Sequence, residues 1–151
     1  MGSPSSASCR RRCGRSSFLE HLLEHLPLEA GVGLLAEHFR LLRPGGVLRV
    51  GRPDFEEALR SYVLADSSIG ALRPGRPSRL FALNELVYGY GDQAMGDLDM
   101  FVLVMEEIGF TDVGARPFGE SRLEPAPDWD ERRKGTLYVE ALKPTSSPHR
   151  A

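Results

Sequence analysis

The chain has 151 residues, 41% hydrophobic and 26% charged, with a net charge of −2. That is the composition of one ordinary globular domain, long enough for a real core. Its overall charge gives no footing for nucleic acid, and no apolar run approaches the ~20 residues of a membrane span.

Residues 1–17 read as a disordered basic tail. Arg10, Arg11, Arg12 and Arg15 give the segment a charge of +4, leaving −6 on the rest, and it has few apolar side chains. Cys9 and Cys13 stand four apart with no histidine nearby, so a zinc site lacks ligands. Two free thiols in a reducing, cytoplasmic compartment are the plain expectation. Gly2 with Ser6 fits the loose myristoylation pattern, and the acid-free Arg/Ser composition fits a transit peptide. Both patterns are short enough to match by accident.

The unit Leu-Glu-His-Leu occurs twice between residues 19 and 26, and Leu19, Leu22, Leu23 and Leu26 recur at helical spacing. Pro27 ends that segment. Leu28, Val32, Leu35, Phe39 and Leu42 share one face of a helix predicted over residues 28–42. Pro44, Gly45 and Gly46 then stop the helix and reverse the chain, and 47–51 is a short β-prone run. Helix, Pro-Gly-Gly turn and strand form the αβ half of an α/β unit.

Asp54, with Glu57 three residues on, reads as the N-cap of a helix from Phe55 to about Leu64. Pro53 and Asp54 then fall at the carboxyl end of a strand, the edge where open α/β sheets bind ligands. Residues 66–79 are loop-like, with Pro74, Gly75, Pro77 and three arginines. A helix is predicted over 80–90, followed by an aromatic loop in which Tyr88 and Tyr90 either line a pocket or pack half-buried. Asp97 is an N-cap for a helix over 98–108, and Gly109 is its C-terminal stop. That helix is apolar nearly all round, which means burial on two sides or a patch seeking a partner. Residues 113–118 are a moderate strand, 119–135 a charged loop, and 136–142 an alternating strand. Residues 144–151 form a second tail.

The chemistry-bearing residues are few. His21 and His25 are four apart, but Leu22 stands where the zincin pattern needs a glutamate, so no metal site is expected. There is no Gly-x-Ser-x-Gly turn and no Walker-type phosphate loop. The residues by themselves lead to an α/β domain with a ligand edge near Pro53 and Asp54.

Leu23-Glu24-His25-Leu26-Pro27, the helix ending in Leu41-Leu42-Arg43-Pro44-Gly45-Gly46, the strand Val47–Val50 and then Pro53-Asp54 resemble the second half of a class I S-adenosylmethionine-dependent methyltransferase of the type 11 kind. Glu107–Val113 resembles that family's late helix-to-strand segment, and Leu137–Ala141 its last, antiparallel strand. The match runs over residues 18–143. It implies a partial Rossmann-like sheet of about three late strands with flanking helices, and S-adenosyl-L-methionine as cofactor. It also implies Glu24 and His25 toward the cofactor, Pro53 and Asp54 toward an unspecified methyl acceptor, and no dedicated catalytic residue. The family's strand with a Gly-x-Gly loop and its ribose-binding acid have no counterpart among these residues. The resemblance therefore leaves two functions open: a methyltransferase, or an inactive truncated remnant that binds a partner. It also leaves an exposed sheet edge at which a homodimer or a complementing chain would pair.

Overall fold

A computed structural model describes residues 14–67, 70 and 73–145. Strand β1 (Gly14–Glu20) is followed by a short 3-10 turn (Leu23–His25), helix α1 (Leu28–Leu41), strand β2 (Leu42–Pro53) and helix α2 (Phe55–Leu64). Helices α3 (Arg79–Tyr88) and α4 (Leu98–Ile108), strand β3 (Thr111–Ala115), a 3-10 turn (Asp130–Arg132) and strand β4 (Thr136–Leu142) complete the order. The four strands form one sheet in the order β1-β2-β4-β3. β1 and β2 are parallel, and β4 runs antiparallel to both of its neighbours.

β2 is the centre of the sheet. Residues 47–53 are buried throughout, the signature of a strand covered on both faces. Leu48 and Val50 point to one face, where Leu35 of α1, Phe101 and Met105 of α4, and Val139 and Ala141 of β4 complete the main core. Phe55 and Ala58 of α2 pack with Leu86 of α3 in a smaller cluster. The turn into β2 is built as its composition demands. Gly45 has a φ of +76°, and its N–H donates to the Lys143 carbonyl at 2.8 Å. The Lys143 ammonium donates in turn to the carbonyls of Phe39 and Leu42, both at 2.7 Å, satisfying the end of α1.

The helix caps form where the sequence puts them. The Asp54 carboxylate accepts from the Glu57 N–H at 2.8 Å, and that of Asp97 from the Met100 N–H at 2.9 Å. Gly109 ends α4 with a φ of +115°. α4 is wrapped on two sides rather than all round: Phe101 and Met105 are buried, while Leu103 is exposed.

The structure departs from the sequence reading at the start of the domain. Residues 14–17 are not tail but the first half of β1, and residues 18–26 are strand, turn and 3-10 turn rather than helix. Ser17, Phe18, Leu19 and Glu20 pair with Leu48, Arg49, Val50 and Gly51. A long-range partner thus overrides the local helical spacing. The leucine stripe splits accordingly, with Leu19 and Leu23 in the core and Leu22 exposed. The sheet therefore has four strands, not three. β2 also begins earlier than residue 47, and β3 spans Thr111–Ala115 rather than 113–118. The cysteines and the myristoylation pattern lie outside the described residues. Among the described residues no helix is long and apolar enough to cross a membrane.

Candidate functional site

The parallel strands β1 and β2 end side by side, and their carboxyl ends open into a cavity of about 400 Å³. After β1 the chain turns at His21, whose φ is +47°, and enters the 3-10 turn that carries Glu24 and His25. After β2 comes Pro53. The loop between α3 and α4 closes the third side. Its Gln93 and Ala94 N–H groups donate to the Glu24 carbonyl at 2.6 and 3.2 Å, and the Gln93 side-chain amide donates to the His25 carbonyl at 2.7 Å. These bonds hold Tyr90 and Asp92 against the turn. Arg73, Lys134 and Thr136 line the remaining wall.

Two histidine–carboxylate pairs stand in this cavity. His21 Nδ1 lies 3.2 Å from Glu24 Oε1, and its Nε2 lies 2.9 Å from the Thr136 hydroxyl, so both ring nitrogens are engaged. Glu24 is 1% exposed, and its Oε2 is buried without a hydrogen-bond partner among the described residues. His25 Nδ1 lies 3.0 Å from Asp92 Oδ1, an ion-pair distance whose angle falls short of a hydrogen bond. Burial first, and then the Glu24 charge, push the Asp92 carboxyl above the usual carboxylate range, with His25, Arg52 and His21 pulling the other way.

Beneath the cavity lies Arg52, 2% exposed. Its guanidinium donates to the Ala94 carbonyl at 2.7 Å and rests near the rings of Phe55 and Phe101, at 5.3 and 5.6 Å. Burial lowers its pKa, against the opposing charges of Glu24, Asp92 and Asp97. Arg52 thus supplies buried positive charge under two carboxylates and ties down the loop that carries one of them.

Of the residues singled out from sequence, Glu24, His25 and Pro53 line the cavity together. Asp54 does not. Its side chain is spent on the α2 cap and its N–H donates to the Gly135 carbonyl at 2.9 Å. Both tyrosines are exposed, and of the two Tyr90 lines the cavity. Sequence reasoning missed Asp92, His21 and Arg52 as parts of one site. The signal for Asp92 was slight: an acid closing a Tyr-Gly-Tyr-Gly run. Among the described residues no group of three or more His, Cys, Asp or Glu is placed to hold a metal ion.

The fold is that of the class I S-adenosylmethionine-dependent methyltransferases, in partial form. A methyltransferase of this kind from Archaeoglobus fulgidus superposes with a TM-score of 0.53 at 12% identity, over 88% of this chain and 61% of that one. The methyltransferase SibL in its apo form gives 0.52 at 19% identity, over 86% of this chain and 31% of that one. The CurJ carbon methyltransferase gives 0.51 at 15%, over 89% and 30%. This chain spans between 30% and 61% of the length of these three structures. No family model and no curated protein matches the sequence.

Proposed function

We propose that this chain carries the acceptor-side half of an S-adenosylmethionine-dependent methyl-transfer site, with Glu24 and His25 toward the cofactor and Pro53 bordering the acceptor. The observation that carries the reading is the cavity at the carboxyl ends of β1 and β2, the ligand edge of an open α/β sheet. The donor set fits the cofactor. A buried carboxylate oxygen of Glu24 without a partner among the described residues is the group that a cationic ligand end would satisfy.

When bound, the cofactor supplies an activated methyl group on a sulfonium. The chain's own part is then positioning rather than covalent chemistry. Glu24 holds positive charge, Pro53 and Tyr90 shape the wall, and Arg52 holds the loop that carries Asp92 through its bond to the Ala94 carbonyl. Among the described residues β1 is an edge strand of the sheet, and a second copy or a complementing chain pairing there would supply further contacts to the cofactor.

Calorimetric titration with S-adenosylhomocysteine tests this, on protein shown to be folded by circular dichroism. Binding that weakens roughly tenfold in Glu24→Gln, the loss of one charge-assisted contact, supports the reading. A folded chain that takes up none sinks it and leaves the partner-binding remnant in its place.

A further inference from the structure

Helix α4 turns an apolar side away from the core. Phe101 and Met105 are buried, but Val104 and Ile108 are only partly so, and Leu103 is 66% exposed. Val32 of α1 faces them across a groove of about 380 Å³. Toward the start of both helices Leu28, 48% exposed, and Met100 extend the same apolar surface. Whatever removes such a surface from water gains free energy in proportion to its area. The groove shares no lining residue with the cavity at the strand ends.

The charges around the groove are of one sign. Glu29 lies one turn before Val32, Asp99 one turn before Leu103 and Glu107 one turn after it, with Glu106 alongside. All four are exposed, and their carboxylates have no partner among the described residues. α4 carries no base, and the one arginine of α1, Arg40, is paired with Glu37. A second copy would bring the same carboxylates against these, and anionic lipid or a nucleic-acid backbone would meet like charge. A basic partner gains from every one of them. Shape agrees with charge. Gly33 and Ala36 are exposed on the outer side of α1, and a Cβ at Gly33 would meet nothing within 4 Å. No contact inside the chain calls for that glycine, which costs the helix about 1 kcal/mol against alanine. Its bare backbone lets another helix lie close.

We propose that the α1–α4 groove docks a basic amphipathic helix of a partner protein. Its apolar residues, at i, i+3, i+4 and i+7, seat between Val32 and Leu103, and lysines or arginines on its borders face Glu29, Asp99, Glu106 and Glu107. The apolar stripe supplies the affinity, and the carboxylates select a basic helix over other apolar ones and speed its approach. The inference does not rest on the methyl-transfer reading.

The probe is a synthetic helix, Leu-Lys-Lys-Leu-Leu-Lys-Leu written twice, dye-labelled and followed by fluorescence anisotropy as the folded chain is added. It should bind saturably. Leu103→Lys and Gly33→Lys should each weaken binding roughly tenfold or more, through lost apolar contact or added bulk together with a like charge. Gly33→Lys should also raise the melting temperature, since lysine is the better helix former, so its lost binding is not lost folding. Glu120→Lys, an exposed charge reversal on the loop before β4, should change the affinity less than about twofold at physiological salt, where distant charges are screened. No saturable binding overturns the inference, as does affinity that survives in Leu103→Lys or falls equally in Glu120→Lys. Equal affinity for a strictly alternating Leu-Lys peptide, or for the peptide with glutamate in place of every lysine, also overturns it. A peptide-free chain that elutes as a dimer and becomes a monomer in Leu103→Lys would assign the groove to a second copy instead.

Discussion

Arg49 and Asp128, 79 residues apart in sequence, form a bidentate pair. Nε meets Oδ1 and Nη2 meets Oδ2, both at 2.6 Å, with both side chains buried. The other Arg49 donors go to Glu140 at 3.0 Å and to the carbonyls of Glu120 and Pro117, at 3.1 and 3.2 Å, so all five N–H groups are used. Burial opposes this charge, but Asp128 and then Glu140 outweigh it and raise the arginine pKa. The pair pins the long loop before β4 to the sheet face opposite the main core, and that loop delivers Gly135 and Thr136 to the cavity.

Asp128→Ala should therefore destabilise the chain by about 1–3 kcal/mol, the cost of leaving buried guanidinium donors unsatisfied while Glu140 still meets the charge. Urea denaturation measures it. The double variant Arg49→Met with Asp128→Leu should recover little of the loss, because Glu140 then stands buried without its arginine. If Asp128→Ala costs under about 1 kcal/mol, the pair is not buried as described.

Gly51 is a second fixed point. A Cβ there would stand 2.7 Å from Cε1 of Tyr138 and 3.3 Å from Cγ of Glu20. The Tyr138 hydroxyl donates to Glu20 at 2.6 Å, and burial followed by that bond pushes its pKa upward. Gly51→Ala should cost about 1–3 kcal/mol through ring displacement. Tyr138→Phe, which removes only the hydrogen bond, should cost about 1 kcal/mol. Thermal melts that reverse this order would show that the ring moves aside freely.

What the sequence makes legible here is whatever a few neighbouring residues decide. Asp54 with Glu57, and Asp97 before Leu98, fix helix starts through bonds that span three residues. Strand 136–142 shows itself by alternation. β1 is hidden because Ser16 and Ser17 carry no apolar signal, and the strand exists only by pairing with β2. The site divides the same way. Glu24, His25 and Pro53 follow from motif resemblance and from the rule that ligands sit at strand ends. Asp92 lies 67 residues beyond His25 and reaches it only through loop bonds to the 3-10 turn. No local pattern encodes that meeting.

Ser17 Oγ and His38 Nδ1, 2.6 Å apart, tie β1 to α1. Burial lowers the His38 pKa, partly offset by Glu37. The unfolded chain then binds more protons than the folded one between the lowered value and the ordinary ~6.5. Stability should accordingly fall as pH drops from about 6.5 through that window, and level off below it. His38→Gln should flatten this part of a urea-midpoint profile. An unchanged slope in the variant would remove His38 as its source.

Asp92 has the opposite sign. Its folded pKa is raised, by burial and then by Glu24, so the folded chain holds the extra proton above the ordinary ~3.9. Stability contributed by this group is therefore complete below ~3.9 and lost as pH rises through the raised value. Above that window burial and the Glu24 charge both disfavour the charged carboxylate. Asp92→Asn should melt higher than the unaltered chain at neutral pH, and the gap should close in acid. The gap should also shrink in a Glu24→Gln background, since part of the cost is repulsion between the two carboxylates. A lower melting point for Asp92→Asn at neutral pH would mean that the ion pair with His25 outweighs burial and repulsion together. A higher one would show that burial and the repulsion from Glu24 outweigh the ion pair with His25 at that position.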